Sequence, residues 1–263
     1  MDELIITVAS VGGKWRKEDS PYVPLSPEQI AEDILQSFNE GATIAHIHAR
    51  DEAGIPSRDP KYFRRIIEAV KKHSDILIQI STGYLEGQIE KNLFPLLEMK
   101  PDMASLNVKG SLTDVSMAAE AMKQFGVKPA IEAYDIGMIE ITKDFLKRGI
   151  IEEPIYYEVV FNIENKVTQA VIFDVEQLIS RVKAMPEQKN WSVARGGENQ
   201  LALGLITILL GGHVRVGLED NLYYEPGVLA KASSEFVRRI VEKAHHLGRN
   251  VADIGKTRRI LKI

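Results

Sequence analysis

Two histidines separated by a single residue, His46-Ile47-His48, close one of the short apolar runs of this chain. On an extended strand, residues two apart project to the same side. The two imidazoles therefore face together, which is a good start for a zinc-type site. The plainer alternative is a pair of interior histidines hydrogen-bonded to their neighbours. Far along the chain, His213-Val214-Arg215-Val216-Gly217 leads into Leu218-Glu219-Asp220-Asn221. Glu219 or Asp220 could add a carboxylate to the imidazole pair, leaving open positions where a bound ion polarises a substrate oxygen as a Lewis acid. Aspartate and asparagine are also common turn residues, so the same segment reads as a simple turn. Arg215 reads either as a structural ion-pair partner or as a clamp for a substrate carboxylate. The chain contains no cysteine, so any metal site must be built from His, Asp or Glu.

Other apolar runs also end on polar side chains: Gln79-Ile80-Ser81-Thr82-Gly83, Ser105-Leu106-Asn107, and Glu132-Ala133-Tyr134-Asp135. Each is weak alone, because loop starts are often polar. Together they would place hydroxyls and a carboxylate around one rim, with Glu132 the most telling of them.

The elements that must position these groups follow from hydropathy. Short β-rich runs cover Leu4–Ala9, Ile44–His48, Ile76–Ile80, Met103–Leu106, Pro129–Ala133, Ile155–Val160, Trp191–Ala194 and His213–Val216. Amphipathic helical patterns lie between them. The first opens on Ser26-Pro27-Glu28-Gln29, with Ser26 as N-cap, Pro27 at N1 and Gln29 able to close a capping box. Ile30, Ile34, Leu35 and Phe38 share its apolar face, and Gly41 stops it. A second starts near Asp59-Pro60 and carries Phe63, Ile66, Ile67 and Val70. Later ones carry Met138 to Leu146, Val175 to Val182, Leu201–Leu210, and Phe236 to Leu247. Strict alternation of strand and helix predicts a parallel sheet. No G-x-G-x-x-G follows the first run, which argues against a doubly wound dinucleotide fold. Eight units in 263 residues predict an α/β fold with a single (β/α)8 TIM barrel. It spans 1–263 as one domain, with a C-terminal helical tail from about residue 250 packed on it. In such barrels the active site lies at the C-terminal ends of the strands, where the polar residues above fall.

Composition narrows the classes further. The chain is 44% hydrophobic and 27% charged, with a net charge of −4, ordinary values for a globular protein. Mixed charge along the chain argues against nucleic acid as a partner. The longest apolar stretch, near Leu201–Leu210, is shorter than the ~18 residues a membrane span needs. The segment starting Met1-Asp2-Glu3 lacks the basic flank of a secretory signal, so a cytoplasmic location is expected. A homo-oligomer is expected as well, since symmetric assemblies are common among soluble enzymes.

The stretches HIHARDEAG, QISTG, MASLN, IEAYDIGM and GGHVRVGLEDN, with PYVPLSPEQIAEDI at the first helix, resemble the β-keto acid cleavage enzymes. The founding activity of that family is 3-keto-5-aminohexanoate cleavage, and the resemblance runs from Ile5 to about Gly248. It implies a (β/α)8 barrel, commonly a tetramer, with one zinc on His46, His48 and Glu219. It implies reaction of a β-keto acid with acetyl-CoA to give acetoacetate and a new acyl-CoA. Mapped onto this chain, Arg215 would bind the keto acid's carboxylate, and Asp220 would remove the proton between the two carbonyls. Glu132 would be a second acid/base or orienting group. Ser81 and Ser105 match substrate-holding hydroxyl positions, and Thr82, Gly83 and Asn107 lie beside them. Two loops depart from the family pattern, Phe161-Asn162-Ile163-Glu164-Asn165-Lys166 and Ala194-Arg195-Gly196-Gly197-Glu198. Lys14 stands where the founding activity has an acid that suits an amino substrate. With Arg195 it points to neutral or anionic β-keto acids. Two other readings of the same residues remain open: a metal-dependent aldolase or hydrolase that needs no CoA, and a metal- or metabolite-binding relative without activity.

Overall fold

The computed structural model of the chain describes residues 2–83, 89–109, 111–161, 171–187, 189–197 and 199–263. Among the described residues, eight parallel strands close into a barrel. They are β1 (Ile6–Ala9), β2 (Ile44–Ile47), β3 (Leu77–Ile80), β4 (Met103–Asn107), β5 (Lys128–Ala133), β6 (Ile155–Phe161), β7 (Lys189–Arg195) and β8 (His213–Val216). Each strand pairs with the next, and β8 pairs back with β1, Thr7 lying opposite Arg215. The predicted TIM barrel is therefore the fold.

The local reasons are those the sequence offered. Helix α1 (Pro27–Asn39) begins with a reciprocal capping box: Ser26 Oγ accepts from the Gln29 N–H at 3.2 Å, and Gln29 Oε1 accepts from the Ser26 N–H at 3.4 Å. Asp59 caps α2 (Pro60–Lys71) through the Lys61 N–H, and the helix buries Tyr62, Phe63, Ile66 and Val70. Helices α3 (Ile89–Met99) and α4 (Leu112–Gln124) carried no expected range. Pro95 inside α3 interrupts the helical pattern, and α4 offers a weak apolar stripe of Ala, Val and Met. Helices α5 (Ile136–Lys147), α6 (Val171–Ala184), α7 (Gln200–Leu209) and α8 (Ser233–His246) complete the ring, and α9 (Ile254–Leu261) ends the described chain.

Alternation along the strands divides the side chains between two environments. Ile6, Val8, Ala45, Ile47, Ile78, Ile80, Val214 and Val216 join one apolar cluster with α1, α2 and α8. Leu106, Ile131, Tyr157, Val159 and Val193 join another with α4, α5 and α6. The intervening residues Ile5, Ile44, Leu77, Met103, Ala130 and Tyr156 meet one another with Ala252 and Leu261. This third cluster floors the barrel interior, and α9 closes it from below. Removing an Ile, Leu or Met side chain of this kind from water contributes about 1.5–3 kcal/mol.

Candidate active site

Two residues beyond that floor, the same strands carry Thr7, His46, Gln79, Ser105, Glu132 and Glu158. Parity places this polar layer directly above the apolar one, and β8 adds Arg215 to it.

His46 is buried, and its Nδ1 lies 2.6 Å from Gln79 Oε1. An amide oxygen accepts, so the proton resides on Nδ1 and Nε2 presents a lone pair. Burial, then the nearby Arg215 charge, pushes His46 down to about 3, which keeps the ring neutral as a ligand must be. The His48 ring sits 5.1 Å from it, centroid to centroid. Glu219 Oε1 lies 3.9 Å from His46 Nε2 and 3.5 Å from His48 Nε2. One ligand atom from each of the three lies within 4.8 Å of the others. Glu219 Oε2 is buried without a hydrogen-bond partner. Two imidazole lone pairs and an uncompensated carboxylate oxygen facing one point fit a divalent cation.

Several devices put Glu219 there. Gly217 adopts φ +145, and a Cβ on it would lie 2.1 Å from the Ala9 carbonyl oxygen, so only glycine lets β8 turn this close to β1. The Glu219 N–H then donates to Ala9 O at 3.0 Å, and Trp15 Nε1 donates to Glu219 O at 2.8 Å. A Cβ on Gly12 would come within 2.8 Å of Glu219 Cγ, so the loop after β1 also needs glycine where it covers the carboxylate.

Arg215 is the hub of the charges. Its Nε and Nη2 donate to Asp220 at 2.9 and 3.0 Å as a bidentate pair. Nη1 donates to Glu158 Oε2 at 3.0 Å, and Nη2 to Glu219 Oε1 at 2.5 Å. Three carboxylates hold the guanidinium charged, well above its ordinary range. They do not all ionise equally. Burial raises Asp220 to about 6 against the pull of Arg215. Burial also raises Glu158, and it raises Glu132 with help from the Glu158 charge. Glu219 is held well below the carboxylate range chiefly by the Arg215 charge, against its burial. The cluster thus separates its acids into one held firmly ionised and three shifted upward by burial.

Most of the remaining expected residues lie at or just past the ends of β3, β4 and β5. Ser81 Oγ accepts from the Gly83 N–H at 3.2 Å. Ser105 Oγ accepts from the Thr82 N–H at 3.2 Å, and Thr82 Oγ1 donates to Ser105 O at 2.9 Å. Asn107 Oδ1 accepts from the Lys109 N–H, and the Tyr134 hydroxyl donates to Glu132 at 3.3 Å. Lys14 is exposed, its ammonium 4.3 Å from the Trp15 ring. Arg195 donates from Nε to the buried Asp174 at 2.8 Å, so its charge is compensated. Residues 162–166 and Glu198, from the two departing loops, lie outside the described residues.

Sequence reasoning passed over Glu158 and gave Gln79 no role. A signal for Glu158 existed. It is the one charged residue in the apolar run Ile155–Phe161, in phase with the barrel interior. Arg58 was also missed. It reaches across Gly83 and donates to Ser81 O at 2.6 Å, on the side of Glu132.

Comparison with known proteins places this geometry among relatives. The profile of a family described as beta-keto acid cleavage enzyme matches residues 3–263. The 3-keto-5-aminohexanoate cleavage enzyme of Fusobacterium nucleatum subsp. nucleatum is 36% identical over 276 residues, covering 100% of this chain and 99% of its own length. The 3-oxoadipate:acetyl-CoA acetyltransferase of Cupriavidus necator is 32% identical, with 98% of this chain and 94% of its own length covered. Among solved structures, a ternary complex of ObcA with a C4-CoA adduct and oxalate superposes with a TM-score of 0.74 at 18% identity. It covers 93% of this chain and 68% of that one, and the likeness is one of fold.

Proposed function

The chain belongs to the β-keto acid cleavage enzyme family, and from that premise we propose that it reacts a β-keto acid with acetyl-CoA. The products are acetoacetate and the acyl-CoA of the remaining chain. The observation that carries this reading is the meeting of His46, His48 and Glu219 beside the Arg215–Asp220 pair, at the end of the barrel where such enzymes act.

His46, His48 and Glu219 would hold one zinc ion. When bound, it supplies Lewis acidity toward a ketone oxygen. Gln79 fixes the His46 tautomer that this requires. Arg215 has five N–H donors, of which four point at Asp220, Glu158 and Glu219. Its remaining Nη1 N–H, with the residual charge, is what it can offer a substrate carboxylate. Asp220 is the base for the proton between the two carbonyls. Each of its oxygens keeps a lone pair beyond the one Arg215 uses, and its pKa of about 6 suits proton transfer near neutrality. Glu132, held toward its protonated form, can return a proton on the far side of the site. Ser105 Oγ accepts from Thr82 and so keeps its own O–H free to donate. With the Ser81 hydroxyl, the Thr82–Gly83 turn and Asn107 it lines the substrate's other flank. The exposed Lys14 at the mouth favours neutral or anionic keto acids over amino-bearing ones.

The test is product analysis with a panel of β-keto acids, with and without acetyl-CoA. Formation of acetoacetate only when both substrates are present is expected, with 3-oxo dicarboxylates ahead of 5-amino-3-oxo acids. Turnover without acetyl-CoA would replace this reading by an aldolase or hydrolase. Lys14→Glu is expected to shift the anion-to-cation substrate preference by about tenfold or less, as suits an exposed charge.

A further inference from the structure

The other end of the barrel contains a cavity of about 600 Å³. It opens between the N-terminal ends of β3, β4 and β5, α3 and α4, and α9. Catalytic-end side chains do not reach it. Part of its wall is apolar, with Ile67, Met99, Val127 and Ile150 among the lining residues. Its charged lining consists of six cationic side chains and three carboxylates. Arg258 and Lys71 share Asp102, at 2.8 and 3.6 Å, and Lys123 takes Glu152 at 2.8 Å. Six against three leaves a surplus of three positive charges among the lining side chains, with Lys100, Lys128 and Lys262 outside those pairs and Glu152 also acting on Lys128. None of these three lysines forms an ion pair among the described residues. Lys128 Nζ instead donates to the Pro154 carbonyl at 2.5 Å, and burial with the nearby Lys262 charge pushes its ammonium down.

The backbone adds an independent sign. Lys100 and Lys262 are the non-glycine residues with positive φ among the described residues, at 43 and 55. A side chain pays for the left-handed region sterically. Lys100 pays more, because it precedes Pro101 and such residues are driven toward extended backbone. Lys262 takes this conformation as the C-cap of α9, a common way for a helix to end, so the strain that gathers at functional positions is that of Lys100. Both lysines line the same cavity, and the Lys262 charge acts on Lys128.

We propose that this cavity binds a small organic dianion, its anionic groups on Lys100, Lys128 and Lys262 and its carbon body on the apolar wall. Its distance from the strand C-termini makes the ligand an effector rather than a substrate. The inference therefore stands independently of the reaction assigned above.

Calorimetric titration of the metal-loaded enzyme at mildly alkaline pH with adipate and with n-butyl phosphate tests it, with hexanoate as the monoanionic control. At least one dianion is expected to bind about tenfold or more tightly than hexanoate, with affinity falling as salt rises. The double variant Lys100→Gln/Lys262→Gln should weaken that binding at least about tenfold while turnover at saturating substrates stays within about twofold. Adipate alone binding identifies a carboxylate ligand, n-butyl phosphate alone a phosphate ligand. Absence of binding by either dianion at about 10 mM, or equal binding by wild type and the double variant, overturns the proposal. Lys100→Gly is a second probe. It relieves the strain and removes one charge, so the ligand-free melting temperature should rise by a few degrees while dianion affinity falls. A variant that loses stability in this way would also overturn the proposal.

Discussion

Two layers of the same barrel interior lie one strand-repeat apart and behave as opposites. Ile5, Ile44, Leu77, Met103, Ala130 and Tyr156 form an apolar floor with Leu261. Two residues later the same strands present His46, Gln79, Glu132 and Glu158 around Arg215. Backbone, register and strand neighbours are shared, so the difference is one of side-chain chemistry and of what caps each layer. The floor is sealed by α9 and needs only volume and apolar surface. The upper layer faces the loops, and its charges are sustained by mutual pairing, four donors of one guanidinium against three carboxylates. The lower layer fixes where the strands stand, and the upper one uses that fixed position to hold charges that would not otherwise remain buried together.

The comparison breaks most visibly at Glu219. Glu219→Gln, or His46→Ala, should lower kcat by about 10⁴-fold, the several kcal/mol that a metal's polarising charge is worth. Metal content by elemental analysis should fall with it. Retained activity in a variant that no longer binds metal would separate this triad from the chemistry. Asp220→Asn should cost about 10³-fold with metal content unchanged. In the wild type the base must be deprotonated, so kcat/KM should climb with pH and level off. Burial places that limb near pH 6, and a bound cation, favouring the carboxylate, moves it lower. An acid limb that survives in Asp220→Asn would assign the titration elsewhere. Leu77→Ala in the floor should act in the opposite sense. It should cost about 3 kcal/mol of stability, measured by denaturant unfolding, with the pH profile of kcat/KM unmoved. A shifted profile would show the two layers to be coupled.

Much of this was legible in the residues. The H-x-H spacing, the eight alternating runs and the capping signals at Ser26 and Asp59 are local properties, set by strand parity and by backbone groups that must be satisfied nearby. The strand bounds differ by a residue or two from the runs, because hydropathy marks burial while pairing decides where a strand ends. Phe161 and Arg195, for example, extend β6 and β7 through their mutual register.

What the chain alone left open was which acid joins the histidines and whether Arg215 serves structure or substrate. Those answers depend on distances between residues some 170 positions apart. Gly217, packed against Ala9, turns Glu219 toward the imidazoles and leaves Asp220 on the guanidinium. Glu158, silent in an apolar run, becomes Arg215's third carboxylate because β6 and β8 flank β7. Sequence determined which side chains face inward, because parity is local. Only closure of the barrel decided which of them meet, since Coulomb energy and hydrogen bonding depend on separation in space and not along the chain.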